Sequence, residues 1–405
     1  MGTCTLEQLR AACADVAEAT AEDTVDGVPA RWVARPGSTQ EVSAVLHAAA
    51  RLGLRVVPRG SGTRLSWGVP PTAVDLIVDT SRMSAVLAHV AGDLVVTVQA
   101  GLRMAELQEA LAPHRQRLAL ECLGGTVGGT IATAASGPLR YRYGSVRDLL
   151  IGITVVLADG TVTRSGGTVV KNVAGYDLGK LYTGSLGTLG VITEAVFRLH
   201  PQPEASRWIT VVAVGAERAA AGIAAVRQSQ HDPVALEVDR AAPGDPVTVG
   251  VALEGVREGI GARAAGIADT LGAAAGVPAT VTEQPPGWWG RPPHPQQGPA
   301  ATVTCEPTGL AELFATAPGA LRGSAGAGVL TAGLDGGELL GTELARLREI
   351  ATRHGGFAVL HCAPPQRKAG LDVWGPVPAL ALMLRLKDQF DPEHRLAPGR
   401  FVGGI

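Results

Sequence analysis

The spacing of apolar residues near the N-terminus predicts one helix clearly. The segment Ser38-Thr39-Gln40-Glu41 has the form of a capping box, in which a hydroxyl and a carboxylate bond the free N–H groups at a helix start. Gly53 provides a stop, and residues 54–57 form a β-branched run that predicts a strand ending at Pro58. Between the cap and the stop, apolar residues recur three and four positions apart at Val42, Val45, Leu46, Ala49 and Leu52.

Further along, apolar and polar runs predict alternating strands and helices. Met104, Leu107 and Leu111 mark a short helix, and Asp159-Gly160 between two β-rich runs predicts a hairpin turn. The predicted strands cover residues 74–78, 94–99, 149–157 and 191–199.

After Pro201 and Pro203 the pattern changes to a β-α-β-β-α order of ferredoxin-like character. A Pro-rich stretch at residues 285–299, with Trp288 and Trp289, predicts a loop or a mobile flap. An amphipathic helix near residues 377–390 ends the pattern. We therefore predict three segments: an N-terminal helix and acidic connector at 1–27, a first domain at 28–203, and an α+β second domain at 204–405.

Three glycine clusters lie next to predicted strands. The first is Arg59-Gly60-Ser61-Gly62-Thr63-Arg64, whose uncovered N–H groups suit phosphate oxygens and whose arginines add charge, although such a loop can also be an ordinary turn. A Rossmann fingerprint is excluded because Leu65 holds the position of its third glycine. A Walker A loop is excluded because Leu181 follows the Gly179-Lys180 pair.

The second cluster, at residues 124–129, leads into a stretch of small residues that ends at Gly137. Either a ligand approaches its backbone closely, or a helix packs tightly on Ala and Gly. The third cluster, Gly184, Gly187 and Gly190, feeds the predicted strand 191–199. Three such loops in one unit favour a ligand site over three unrelated turns.

Composition narrows the function classes. The chain has 405 residues, 46% hydrophobic and 18% charged, with a net charge of -2, which favours globular domains and gives no support to nucleic-acid binding. The five cysteines are never spaced as C-x-x-C, which argues against an iron–sulfur cluster or a disulfide framework and favours a reducing, cytoplasmic compartment. No signal peptide or apolar run of spanning length is evident, so we expect membrane contact only peripherally, through partners.

The three clusters, RGSGTRLS, GGTVGGTIATAASG and YTGSLGTLGVITEAVF, resemble the FAD-binding domain of the vanillyl-alcohol oxidase and p-cresol methylhydroxylase superfamily. Within it, KNVAGYDL at residues 171–178 and the tail from Phe390 to Phe401 resemble the smaller FAD-binding subunit of bacterial glycolate oxidase. The resemblance implies an α+β fold, with an FAD-binding domain of two α+β subdomains followed by a ferredoxin-like α+β domain. It also implies non-covalently bound FAD.

The resemblance further implies a set of FAD contacts. The first loop would hold the diphosphate, and the second cluster would line the flavin. Gly144 and Asp148 would lie near the adenosine half, and the third cluster would present its backbone to the cofactor. The residues so assigned are Pro58, Arg59, Gly60, Ser61, Gly62, Thr63, Arg64, Leu65, Thr126, Gly128, Gly129, Ala132, Ser136, Gly137, Gly144, Asp148, Gly190, Val191 and Ile192.

Two departures from catalytic relatives leave the catalytic residues unassigned. Those relatives carry Glu where this chain has Leu186, and a His-rich metal motif where it has only His354 and His361, so we expect no metal site. Cys122 lies beside the second cluster, where a small buried thiol is the simpler explanation. Three more residues, Lys171, Tyr176 and Asp177, either approach the flavin or support a loop.

The sequence therefore predicts an FAD-binding subunit of a multi-subunit 2-hydroxy-acid dehydrogenase of the glycolate oxidase type. Its expected partners are a larger FAD-binding catalytic subunit and an iron–sulfur subunit, with a small 2-hydroxy acid as the substrate of the complex. Two alternatives stay open: a stand-alone flavin oxidoreductase with its own substrate pocket, and a non-catalytic subunit that keeps the fold for assembly.

Overall fold

A computed structural model describes most of the chain. The described residues are 2–121, 124–168, 176–293 and 298–405, with the side chains of residues 2 and 3 excepted. Cys122 and the predicted KNVAGYDL loop as far as residue 175 lie outside them.

Strands form across the whole chain. They are β1 (Val16–Glu18), β2 (Thr24–Val25), β3 (Val28–Pro29), β4 (Trp32–Ala34), β5 (Val56–Arg59), β6 (Leu76–Asp79), β7 (Val86–Val90), β8 (Val95–Gln99), β9 (Gln116–Arg117), β10 (Leu150–Val156), β11 (Val162–Gly166), β12 (Val191–Arg198), β13 (His200–Pro201), β14 (Ala205–Ala213), β15 (Ala235–Arg240), β16 (Val247–Gly255), β17 (Thr280–Thr282), β18 (Ala300–Thr304), β19 (Ala320–Ser324), β20 (Val329–Gly333) and β21 (Ala358–Cys362).

Helices alternate with these strands. They are α1 (Gly2–Ala12), α2 (Thr39–Arg51), α3 (Met104–Leu111), α4 (Val127–Ala132), α5 (Arg140–Tyr143), α6 (Val146–Leu149), α7 (Gly179–Tyr182), α8 (Ala216–Gln228), α9 (Ile260–Ala275), α10 (Leu310–Thr316), α11 (Leu340–Arg353), α12 (Pro365–Lys368) and α13 (Leu380–Phe390). Among the described residues, no helix has the length and the apolar character needed to cross a bilayer.

The chain divides into two compact units. The first unit contains residues 1–135, 145–201 and 376–405, and the second contains 136–144 and 202–375. This division corrects the predicted domains at both ends: the predicted connector and the last thirty residues both belong to the first unit. The segment 136–144 belongs to the second unit although it lies inside the predicted first domain.

The first unit contains two main sheets. One is four-stranded in the order β1-β4-β6-β5, with β4, β6 and β5 parallel, and the other is an antiparallel sheet in the order β11-β10-β12-β8-β7. Helix α2 begins as predicted, because the Ser38 hydroxyl accepts a hydrogen bond from the Glu41 N–H at 3.1 Å. Its apolar face, including Val42, Val45 and Leu46, is fully buried.

Two local features of the first unit differ from the prediction. Strand β5 continues through Pro58 to Arg59, because β5 is the edge strand of its sheet and the missing N–H of Pro58 costs no ladder bond there. The predicted connector contains strand β1, strand β2 and the turn at Asp26-Gly27, where φ is positive at both residues; β3, just beyond it, completes the hairpin. An Asp-Gly pair between valines is a strong hairpin signal, so this element was readable in the sequence.

The second unit is built on one eight-stranded antiparallel sheet. Its order is β17-β14-β16-β15-β19-β20-β18-β21. The first half, β14-α8-β15-β16-α9-β17, confirms the predicted ferredoxin-like order. The second half, β18-α10-β19-β20-α11-β21, repeats it, so the two halves meet at β15 and β19. The sheet is thus an internal duplication that the apolar pattern alone did not reveal.

The described part of the Pro-rich stretch, residues 285–293, is an irregular loop of the second unit. Its two indole rings lie 5.5 Å apart, centroid to centroid, and Trp288 also stacks under the guanidinium of Arg322. Both rings cover Gly250, where an added Cβ would lie 2.9 Å from Trp288. The tryptophans therefore anchor this loop to the sheet. Residues 294–297 lie outside the described residues.

Candidate functional site

A cleft in the first unit collects most of the sequence-predicted residues. About 740 Å³ of space between protein atoms, part of it open to solvent, lies within this cleft. Residues of all three glycine clusters line it, although they are far apart in the sequence. Those predicted and found there are Pro58, Arg59, Gly60, Ser61, Gly62, Thr63, Arg64, Leu65, Thr126, Gly128, Gly129, Ala132, Gly190 and Ile192.

Close backbone approaches hold the three clusters together. A Cβ on Gly60 would lie 2.2 Å from Oγ1 of Thr126, and a Cβ on Gly187 would lie 2.5 Å from Cγ of Pro58. The first cluster thus touches the second at Gly60 and the third at Gly187. Side chains at these glycines would force the clusters apart, which explains why glycine stands there.

The glycine loop, defined as residues 58–65, has an arginine whose charge is already paired. Arg59 Nη1 lies 2.8 Å from Oδ1 of Asp23, and its Nη2 lies 2.8 Å from Oδ2 of Asp79. Burial works against ionisation of Asp23, but hydrogen bonds from Thr20 and Arg59 outweigh it and lower the pKa of that carboxyl to about 2. Two carboxylates against one guanidinium leave no net positive charge here, so Arg59 braces the base of the loop, and its contact with the phosphate stays a prediction.

The third cluster completes the end of helix α4. The N–H of Gly184 donates to the carbonyl of Ile131 at 2.9 Å, and the N–H of Leu186 donates to that of Ala132 at 2.8 Å. These carbonyls are at the C-terminus of a helix and would otherwise lack partners. The loop therefore positions Leu186 on the wall of the cleft, in a left-handed conformation with φ of 53°.

Five predicted residues do not line this cleft. Val191 is buried in the core beneath the four-stranded sheet, because it follows the cleft-lining Gly190 on a strand whose side chains alternate. Asp148 accepts hydrogen bonds from the Ser145 N–H and hydroxyl, so its carboxylate caps helix α6. The others belong to the segment that clusters with the second unit: Ser136, Gly137 and Gly144. The predicted contacts of all five residues with FAD stay predictions.

The residues between the hairpin and the third cluster show a supporting role where they are described. Tyr176 is 90% exposed, and its backbone carbonyl accepts a hydrogen bond from the Ser165 hydroxyl. Asp177 pairs with Lys180 at 2.9 Å on the surface. Lys171 lies outside the described residues, so its predicted role is not tested.

The C-terminal tail, defined as residues 391–405, brings a residue to the cleft that the sequence argument missed. The tail runs beside β5: the N–H of Val56 donates to the carbonyl of Arg395, and the N–H of Ala397 donates back to Val56, both at 2.8 Å. Beyond this pairing, Arg400 lines the cleft. The sequence signal was the Pro-Gly-Arg-Phe end of the tail, but nothing in it pointed to the glycine loop.

A buried ion pair holds the tail in place. Lys387 and Asp391, one helical turn apart at the end of α13, are both fully buried and lie 2.7 Å apart. The Lys387 ammonium also donates to the carbonyls of Thr188 at 2.8 Å and Leu396 at 2.9 Å. Burial lowers the pKa of Lys387, while Asp391 opposes that shift. The pair therefore joins the third glycine cluster to the tail.

The two histidines considered as metal ligands have separate partners. The Nε2 of His354 lies 2.7 Å from Oε2 of Glu312, and the Nδ1 of His361 lies 3.0 Å from the Thr302 hydroxyl. Among the described residues, no three His, Cys, Asp or Glu side chains converge as metal ligands would. The expectation that the protein needs no metal stays a prediction.

These features fit a dinucleotide. Glycine loops leave backbone N–H groups open to diphosphate oxygens, and the close approaches at Gly60 and Gly187 bring the three clusters together around one cleft. Arg400 adds a buried guanidinium on the same wall. The residues present are therefore those that FAD would require.

Comparisons with known proteins agree with this fit. Residues 30–166 match a family model described as an FAD binding domain. Glycolate oxidase subunit GlcD of Bacillus subtilis is 34% identical over 212 residues, which covers 51% of this chain and 44% of that protein. D-lactate dehydrogenase of Archaeoglobus fulgidus is 38% identical over 184 residues, 45% of this chain and 41% of that protein. The matched parts thus span less than half of each relative.

The whole chain also has a structural relative. The solved structure of p-cresol methylhydroxylase with substrate bound superposes with a TM-score of 0.73 at 15% sequence identity, over 98% of this chain and 96% of that chain. At this identity the likeness establishes the fold, and it confirms the α+β fold predicted from the resemblance. Residues 30–166 therefore match an FAD binding domain, the chain has the fold of p-cresol methylhydroxylase, and FAD is its cofactor.

Proposed function

We propose that this chain is the FAD-binding subunit of a multi-subunit dehydrogenase that oxidises a small 2-hydroxy acid, with glycolate as the first candidate. The observation that carries the proposal is the cleft in which three glycine clusters meet. The named relatives, a glycolate oxidase subunit and D-lactate dehydrogenases, support this substrate class. The proposed partners are a larger FAD-binding catalytic subunit and an iron–sulfur subunit.

FAD, when bound, supplies the acceptor for a hydride from the hydroxyl-bearing carbon. This chain's own residues would hold and orient the cofactor: the backbone of the glycine loop would bind the diphosphate, and the small residues of α4 would allow close approach to the flavin. The third cluster fixes the opposite wall through its bonds to Ile131 and Ala132. These are binding tasks, and none of them moves a proton.

Oxidation of a 2-hydroxy acid also needs a base for the hydroxyl proton. At the third cluster this chain presents Leu186, an apolar side chain, to the cleft. His354 is engaged with Glu312, and His361 with Thr302. These observations support a subunit that binds FAD and depends on a partner for the proton transfer.

The test compares the chain alone with the chain in its complex. We expect the purified chain to show flavin absorbance, and to reduce a dye with glycolate or D-lactate only when the larger flavoprotein and the iron–sulfur protein co-purify with it. Turnover near the ~10 s⁻¹ of a median enzyme by the isolated, FAD-loaded chain would instead support a stand-alone oxidoreductase.

The same experiment covers the non-catalytic alternative. A complex that keeps full glycolate turnover when this subunit carries no flavin would show that the chain serves assembly. A complex that loses turnover under those conditions, with its subunits still associated, would support a role for this FAD in electron transfer.

A further inference from the structure

Arg400 is a buried cation that lines the cleft together with Arg59 and Arg64. Its side chain comes from the C-terminal tail, and the residue is 2% exposed. The Nη2 atom donates to the carbonyls of Leu65 at 2.8 Å and Trp67 at 2.7 Å, so one corner of the guanidinium closes the end of the glycine loop. The other donors, Nε and Nη1, are buried and have no hydrogen-bond partner among the described residues.

In the described part of the chain, buried guanidinium nitrogens without a partner also occur at Arg240 Nε and Arg395 Nη1, so the position of Arg400 on the cleft is what distinguishes it. Burial lowers the pKa of Arg400 to about 10, although the carboxylate of Asp26 opposes the shift. Buried donors without acceptors cost free energy, and native proteins retain them where something else supplies the acceptors. Arg400 lines the FAD cleft, so a bound ligand that reached this guanidinium would supply acceptors for its leftover donors.

Two other arginines show what a structural role looks like in this chain. Arg59 lines the same cleft, but two carboxylates occupy its guanidinium. Arg240, buried in the second unit, uses both Nη atoms on the carbonyls of Phe314, Ala317 and Gly319. Arg400 differs from both because it combines position in the cleft with a wholly unused Nη1.

We propose that Arg400 is an anion-binding residue of the FAD site, and that it donates to the diphosphate through the groups left over after Leu65 and Trp67 are bonded. The anionic part of FAD matches a buried positive charge better than the neutral flavin ring does. The proposal rests on the FAD assignment and is independent of the substrate and the partners proposed above.

The experiment measures binding to the flavin-free chain. FAD, ADP and riboflavin are titrated into wild type and Arg400→Met, with flavin fluorescence as the readout for FAD and riboflavin, and displacement of FAD for ADP. Because a hydrogen bond to a charged group is lost, we expect FAD and ADP to bind roughly tenfold to a hundredfold more weakly in the variant. Riboflavin, which has no phosphate, should change less than about twofold.

Arg240→Met is the matched control: it also removes a buried arginine bonded to carbonyls, and it should alter stability without changing the ratio of FAD to riboflavin affinity. Equal weakening of FAD and riboflavin in Arg400→Met would overturn the proposal, since it would mean a contact with the flavin ring or a loop-holding role only. Unchanged FAD affinity would overturn it as well. If Arg400→Met does not fold, Arg400→Lys takes its place, with a smaller but still phosphate-dependent loss expected.

Discussion

Two regions bring an arginine to one cleft, and they use it in opposite ways. In the glycine loop, Arg59 stands where a phosphate-binding charge is expected, yet Asp23 and Asp79 neutralise it. In the C-terminal tail, Arg400 comes from 335 residues beyond Leu65 and keeps two buried donors without protein partners among the described residues. Nearness of a cation to a binding motif is therefore a poor guide; what matters is which of its donors the fold has already used.

The largest effect should come from filling the base of the glycine loop. In Gly60→Val, the new Cβ would fall 2.2 Å from Oγ1 of Thr126, which caps helix α4, so two of the three clusters must separate. We expect FAD occupancy of the purified protein to fall to background, measured as flavin absorbance per chain.

The control for that variant is Gly92→Ala, at an exposed glycine of the same unit with no atom within 4 Å of the added Cβ. It should keep FAD at the wild-type level. Normal FAD occupancy in Gly60→Val would mean that the cofactor does not depend on this contact and that the loop belongs elsewhere in the site.

A second variant breaks the anchor of the tail. Lys387→Met leaves the Asp391 carboxylate buried without its partner, and removing one member of a buried pair costs about 3–5 kcal/mol. We expect a lower free energy of unfolding in urea, together with weaker FAD binding because the tail carries Arg400. Lys180→Met, in an exposed Lys–Asp pair of the same unit, should cost less than about 1 kcal/mol.

The double variant Lys387→Met/Asp391→Leu sharpens this result. It removes both charges, so it should recover part of the lost stability. If the single and double variants are equally unstable, the cost comes from lost packing or carbonyl contacts rather than from the unpaired carboxylate.

The smallest expected effect is on the stability that the ion pair between Arg59 and Asp23 provides. The folded pKa of Asp23, about 2, is below its unfolded value, so this group stabilises the protein above about pH 4 and loses that contribution as the pH falls from 4 towards 2. We expect Asp23→Asn to be less stable by roughly 1–2 kcal/mol at pH 7 and to lose less stability on acidification. Urea midpoints at pH 7, 4 and 3 measure this, and parallel acid curves for variant and wild type would contradict the assigned pairing with Arg59.

Local elements were predictable wherever the signal was local. Helix α2 begins at its hydroxyl cap and ends before Gly53, because capping and spacing act within one or two turns. The Asp159-Gly160 hairpin and the first ferredoxin-like half were found for the same reason. The hairpin at Asp26-Gly27 has the same Asp-Gly signal, but it was not among the predicted elements.

Long-range features were not predictable in this way. The duplicated half of the second unit has the same element order as the first, but its pairing at β15 and β19 depends on strands far apart in the chain. The tail was assigned to the wrong domain because its return beside β5 depends on backbone bonds at Val56. The pairing of Arg59 with Asp23 joins residues 36 positions apart, and Asp23 lies in the segment predicted to be a connector.

The sequence by itself determined that three glycine clusters adjoin strands, that no Rossmann or Walker loop is present, and that FAD is the cofactor to expect. The first two conclusions follow from residue types at short spacing, which constrain backbone conformation directly, whereas the FAD expectation came from the resemblance of the clusters to an FAD-binding superfamily. Only the tertiary structure decided which charge remains available at the cleft, since that depends on the partners each guanidinium meets after folding. Arg59 pairs with two carboxylates, which neutralise its charge. Arg400 donates to two carbonyls, which are neutral, so its positive charge and its remaining N–H groups are left for a ligand.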